Sequence, residues 1–146
     1  MNKRHYPDQP LLAVSIALWR DGQILLANRS DVPGKGAWAL PGGLVELGET
    51  MEQAIVRETK EETALVITKP KFHGLSEIIE KDAFHAISRH YVLGVFAAVA
   101  SHGNAIAGDD ARAVSWFNID DLPNEKLVGE TLRFANETGA ALNFGR

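Results

Sequence analysis

The amino-acid sequence predicts an α/β protein, a mixed-sheet α/β sandwich, and three observations carry that expectation. A near-continuous apolar run at residues 11–19 (LLAVSIALW) precedes an Asp21-Gly22 pair. A helical pattern with a strong start signal begins after Thr50. Apolar, β-branched stretches then follow at 72–79, 89–99 and 113–118, before a second helical pattern near the end. Short apolar runs bounded by turn residues read as strands, and strands on both sides of an internal helix suit a mixed sheet.

Taken in order, residues 1–10 are polar with Pro7 and Pro10 and read as an arm on the surface or on a partner. The run at 11–19 is a buried strand, and Asp-Gly is the dipeptide of a tight hairpin turn, so 24–28 returns as its neighbour. Residues 29–36 (RSDVPGKG) form a loop by their Pro and Gly content. Within it Arg29 and Lys35 are candidates to hold an anionic group, a solvated surface cation being the plain alternative for each. A short strand at 38–40 enters a turn through Pro41, Gly42 and Gly43, with Trp38 taken as packing rather than as a base-stacking platform. Thr50 is an N-cap, and Gln53 three residues on completes a capping box. After the helix, 65–68 reads as a strand ended by Pro70. Residues 101–110 (SHGNAIAGDD) are a loop, 120–123 a turn, and 125–136 a closing helix with Gly139 beyond it. No repeat or linker interrupts the chain, so one domain is expected over 1–146, with an arm at 1–10 and a tail at 137–146.

Composition narrows the class. A chain of 146 residues with 45% hydrophobic and 23% charged residues suits one ordinary globular core. It contains no cysteine, so disulfides and thiolate metal sites are excluded, in keeping with a reducing cytoplasm. The net charge of −4 argues against a nucleic-acid backbone binder but leaves a nucleotide substrate open. The run at 11–19 is too short to span a bilayer, and no apolar segment follows the basic N-terminal residues directly. Neither a membrane segment nor a signal peptide is expected, and a cytoplasmic location is.

The helix after Thr50 carries the chemistry. At about 100° per residue, Met51, Ala54, Ile55 and Leu65 share one side, and Glu58, Glu61 and Glu62 fall on that same side. Glu52, Gln53, Lys60 and Thr63 fall opposite. Like charges at i, i+3 and i+4 repel, and burying them is costly without compensation. Arg57 alone cannot balance them, whereas a divalent cation with a preference for hard oxygen ligands, Mg²⁺ or Mn²⁺, would. A solvated acidic face is the ordinary alternative for such a run.

Gly43, Glu49, Arg57, Glu58, Glu61 and Glu62 stand at spacings that resemble the signature box of the Nudix (MutT-type) hydrolases, G-x5-E-x7-R-E-U-x-E-E-x-G-U. Two positions depart from it. Thr59 stands where an aliphatic residue is usual, and Ala64 replaces the last Gly, which asks the helix to end without a left-handed residue or slightly later. The flanks at 24–29, 36–38 and 113–123 are similar too, so the resemblance covers about 11–123.

That resemblance implies a Nudix-type α/β/α sandwich and metal-dependent hydrolysis of the pyrophosphate bond in a nucleoside diphosphate linked to another group. The implied metal ligands are Glu58 and Glu62, with Glu61 sharing ligation or serving as general base, Gly42 close to the metal, and Asp110 (or Asp109) as an added acid from outside the box. Arg57 would orient a carboxylate, Glu49 being its natural partner, and Gly43, Glu49 and Arg29 would line the substrate side. The histidines show no ligand spacing and the serines no nucleophile context. An ADP-ribose-like substrate is favoured over a nucleoside triphosphate. A non-catalytic nucleotide-sensing module and a structural domain with an acidic helix are the readings from other classes. A homodimer is compatible with the family but not decided by the residues.

Overall fold

The computed structural model describes residues 3–29, 37–100, 102–108, 111–123 and 127–142. Strand β1 (Leu11–Arg20) turns through Asp21 and Gly22 into β2 (Gln23–Arg29). Both turn residues have positive φ, 52° and 77°, the backbone twist that a two-residue hairpin needs. Two short strands, β3 (Trp38–Ala39) and β4 (Gly42–Leu44), precede helix α1 (Met51–Thr63). Then come β5 (Lys71–Lys81), β6 (Ile87–Val99), β7 (Ala111–Asn118), a 3-10 turn at Ile119–Asp121 and helix α2 (Thr131–Ala141).

These strands form one seven-stranded sheet of order β3-β2-β1-β6-β5, with β4 added to β1 and β7 to β2. β1 and β6 run parallel from Leu11 beside Tyr91 to Trp19 beside Val99, while the other pairs are antiparallel, so the sheet is mixed as expected. On one face Val14, Ile16 and Leu18 pack with Ala54 and Ile55 of α1. On the other, Ala17 and Trp19 pack with Phe134 and Ala135 of α2. Covered on both faces from Ile16 to Trp19, β1 has no solvent side there, which is why that stretch shows no polar alternation. The result is the α/β/α sandwich.

Several elements differ from the sequence expectation, each for a physical reason. Pro41, Gly42 and Gly43 are not a turn: Gly42–Leu44 is a strand paired with β1, Ser15 lying beside Gly42 and Ala13 beside Leu44. Residues 65–68 are not a strand. They alternate in burial as a strand would, Leu65 and Ile67 inward, but carry no ladder partner. The closing helix starts at Thr131 and runs through Gly139 to Ala141, so part of the expected tail at 137–146 is helical. Its inward residues are Thr131, Phe134, Ala135, Thr138 and Gly139, a helical stripe built mainly from small residues that a search for large apolar groups overlooks. The arm before Leu11 lies on its own β5–β6 hairpin: the Tyr6 amide donates to the Ser88 carbonyl (2.9 Å) and the Tyr6 hydroxyl to Asp82 Oδ2 (2.8 Å).

α1 begins as expected. Thr50 Oγ1 accepts from the Gln53 amide (3.0 Å) while Gln53 Oε1 accepts from the Thr50 amide (2.9 Å). Its buried face is wider than the apolar residues alone indicate, comprising Ala54, Ile55, Thr59, Glu62 and Thr63. Thr63, expected to face solvent, is fully buried. It and Thr59 satisfy their hydroxyls by donating 2.6 Å hydrogen bonds to the Thr59 and Ile55 carbonyls, so neither leaves an unmet polar group in the core. Ala64 is left-handed (φ 67°) and caps the helix, its amide donating to the Lys60 carbonyl. The expectation that alanine would avoid that conformation is corrected. Among the described residues no helix is long and apolar enough to cross a membrane.

Candidate active site

The second half of α1 lies over β4, and β4 is fixed beneath it by its ladder with β1. Glu62 is only 4% exposed, and its Oε1 accepts from the Gly42 amide at 3.3 Å. Glu58, one turn earlier, occupies the space that Gly43 leaves: a Cβ on Gly43 would fall inside the Glu58 carboxylate. Two carboxylates at i and i+4 therefore stack on one face above β4, where the missing side chain of Gly43 admits Glu58.

Arg57 organises the rest. Its Nε and Nη2 donate to the two oxygens of Glu49 at 2.7 and 2.9 Å, a bidentate pair, and Nη2 also donates to the Leu44 carbonyl at 3.0 Å. Nη1 donates to Glu58 Oε2 (2.8 Å) and Glu61 Oε1 (3.3 Å), with Glu46 at 3.9 Å. The loop closes on itself, the Glu46 amide donating to Glu49 Oε1 at 3.0 Å. The hydrogen bond from Arg57 holds the Glu49 carboxyl below the usual glutamate range, and Glu49 in turn raises the arginine further. A carboxyl lowered on folding stabilises the fold above its unfolded pKa. That contribution is lost only as pH falls through the lowered folded value.

Around this centre Glu46, Glu49, Glu58, Glu61 and Glu62 set five carboxylates against one guanidinium. Among the described residues no three acidic or imidazole groups close into a preformed metal-holding set, and Glu58 and Glu61 lean on Arg57 instead. The donor chemistry nonetheless fits a small hard cation: the oxygens are anionic, the cluster carries surplus negative charge, and Gly43 keeps a side chain out of the space beside Glu58.

The structure thus brings together Gly42, Gly43, Glu49, Arg57, Glu58, Glu61 and Glu62. The backbone of Arg29 ends β2 beside Ala111, and its side chain lies outside the described residues, as do Lys35, Asp109 and Asp110. Trp38 packs edge-on against Phe117 at 5.0 Å, in keeping with a packing role. Sequence reasoning missed the Leu44 carbonyl, which fixes Arg57, and segment 102–108, which closes the end of α1. The Ile106 amide donates to the Thr63 carbonyl (2.8 Å) and the Gly108 amide to the Glu62 carbonyl (3.1 Å). Glycine in a polar stretch reads as loop; nothing local signals that Gly108 packs on a helix.

The model of the NUDIX domain family matches residues 9–136. The ADP-ribose pyrophosphatase of Methanocaldococcus jannaschii is 38% identical over 133 residues, covering 87% of this chain and 76% of the relative. The MutT NUDIX hydrolase of Burkholderia pseudomallei superposes with a TM-score of 0.74 at 35% identity, covering 89% of this chain and 98% of that one. The NUDIX domain of Shewanella oneidensis NrtR, solved with ADP ribose, gives a TM-score of 0.77 at 25% identity, covering 92% and 90%. The chain belongs to the Nudix family, and the enzyme class it falls in is that of the Nudix hydrolases.

Proposed function

We propose that this protein hydrolyses the pyrophosphate bond of an ADP-ribose-like nucleoside diphosphate, using Mg²⁺ or Mn²⁺ held by Glu58 and Glu62. The observation that carries the reading is the buried Glu62 carboxylate on the Gly42 amide, one helical turn from a Glu58 carboxylate that fills the space over Gly43. Such an arrangement concentrates more negative charge than the one guanidinium of Arg57 balances, and a bound divalent cation would relieve it. Bound there, a divalent cation neutralises charge building on the bridging and leaving oxygens and makes water a better nucleophile.

The chain's own groups divide the remaining work. Glu61 is the most exposed of the three, its side chain 46% accessible, and we assign it the role of taking a proton from the attacking water. Arg57, locked on Glu49 and the Leu44 carbonyl, holds Glu58 in its orientation. Gly43 leaves the space that the Glu58 carboxylate occupies, and the Gly42 amide holds Glu62. Arg29 as a phosphate contact and Asp110 as a further acid are carried from the sequence pattern. The relative named as an ADP-ribose pyrophosphatase and the neighbour solved with ADP ribose support the substrate class. A cytoplasmic setting fits a nucleotide substrate.

The test is product release from ADP-ribose, NADH, nucleoside triphosphates and nucleotide sugars, with Mg²⁺, Mn²⁺ or chelator. Metal-dependent AMP release from ADP-ribose is expected; metal-independent turnover, or triphosphates alone being cleaved, would overturn the assignment. Glu62→Gln keeps an oxygen for the Gly42 amide but removes the charge. Its turnover is expected to fall by about 100-fold or more, with melting temperature unchanged or raised because a repelling cluster loses one member. Near-normal turnover in that variant would remove Glu62 from the metal site.

A further inference from the structure

We infer that Gly108 is a positioning residue, setting the last turn of α1 and so the carboxylates of Glu61 and Glu62. The inference rests on the metal reading above and names a residue outside the Nudix box. Segment 102–108 lies across the C-terminal end of α1, where helix carbonyls have no intrahelical partner. Two of them are met by this segment, Thr63 by the Ile106 amide and Glu62 by the Gly108 amide. The segment is held from the far side as well. Arg20 Nη1 donates to the Gly103 carbonyl at 2.8 Å, and its guanidinium stacks on Trp116 at 4.5 Å. Gly103 is left-handed (φ 98°), and a Cβ there would come within 3.2 Å of Leu65.

Gly108 is the tightest point of this seat. A Cβ on it would collide with the carbonyl oxygen of Glu61, far inside any real Cβ contact. That oxygen is helix backbone, so it does not swing aside as a side chain would. Either the segment lifts, and the Glu62 carbonyl loses the Gly108 amide, or the turn carrying Glu61 and Glu62 shifts. The first removes the contact that holds the last turn and the second displaces that turn directly, and outer contacts that orient ligands control affinity about 10- to 100-fold.

The experiment is Mn²⁺ binding to the nucleotide-free protein, read by electron paramagnetic resonance, alongside kcat and KM. Gly108→Ala is expected to weaken Mn²⁺ binding about 10-fold or more and to lower kcat more than it raises KM, with the circular dichroism spectrum retained. Gly74→Ala, where a Cβ meets nothing within 4 Å, is expected to bind Mn²⁺ as the parent does. Glu62→Gln runs in parallel. If it too binds Mn²⁺ normally, the metal reading itself fails. If it loses Mn²⁺ while Gly108→Ala does not, the positioning role alone is overturned. Should Gly108→Ala not fold, Arg20→Gln releases the same segment without a clash. Weakened Mn²⁺ binding in that variant supports the role, and parental affinity overturns it.

Discussion

Gly42 and Gly43 are neighbours in sequence with opposite reasons for being glycine. A Cβ on Gly43 meets first the far end of the Glu58 side chain, whereas one on Gly42 meets the Val14 carbonyl and comes within 2.9 Å of Ser15 Cα, the backbone of β1. Side chains rotate; paired backbone does not. Gly43→Ala is therefore expected to fold with a melting temperature close to the parent's and to lose turnover about 100-fold or more as Glu58 is displaced. Gly42→Ala is expected to destabilise the fold itself, by about 1–3 kcal/mol or more as an overpacked strand pair must part. Thermal melts beside single-turnover rates separate the two. Equal behaviour of the variants would show that the two glycines do not divide as the geometry says. The spacing of the box begins at Gly43, and Gly42 is legible only as its neighbour in the Pro-Gly-Gly triplet. Which neighbour each would meet was not legible, because that depends on β4 pairing with β1, and the Pro-Gly-Gly triplet reads locally as a turn.

At the scale of the element, α1 shows where local rules suffice and where they stop. Its start follows from Thr50 and Gln53, and the stacking of Glu58 on Glu62 follows from helical periodicity; both are set within a few residues. Its buried arc is not local, since Thr63 is covered where segment 102–108 returns to hydrogen-bond the helix end. Its stop also departs from the expected one. Ala64 accepts the left-handed conformation that a Cβ disfavours, at a cost of roughly 1–2 kcal/mol, because the Lys60 carbonyl gains the Ala64 amide and Leu65 must turn inward to the core. Ala64→Gly relieves that strain and loses part of the gain to a freer unfolded chain. A net stabilisation of about 0.5–1 kcal/mol is expected, a rise of roughly 1–4 °C in melting temperature. Unchanged kcat should accompany it, because Ala64 touches no carboxylate of the site. A lower melting temperature would mean the cap is not strained.

Across the whole molecule, the sheet separates chemistry from much of the stability. β1 is the shared wall: its Val14, Ile16 and Leu18 face α1 and the carboxylates, and its Ala17 and Trp19 face α2. The tie on the second side is polar. Trp19, fully buried, donates its indole N–H to Thr138 Oγ1 at 2.9 Å, and the same hydroxyl donates to the Phe134 carbonyl at 2.7 Å. Thr138→Val keeps the volume and removes the acceptor, leaving a buried donor to lose its partner at a cost of about 1–3 kcal/mol. The melting temperature is expected to fall by roughly 3–9 °C, with kcat and Mn²⁺ affinity at 25 °C as in the parent, since none of the site side chains among the described residues is in the cluster on that face. Tryptophan fluorescence would follow the melt of the whole fold, and turnover would follow the face that carries α1. A variant that kept its fold at 25 °C yet lost turnover would show the two faces to be coupled through β1, and the rigid-wall account of the site would then have to be replaced by one in which α2 helps to set β4.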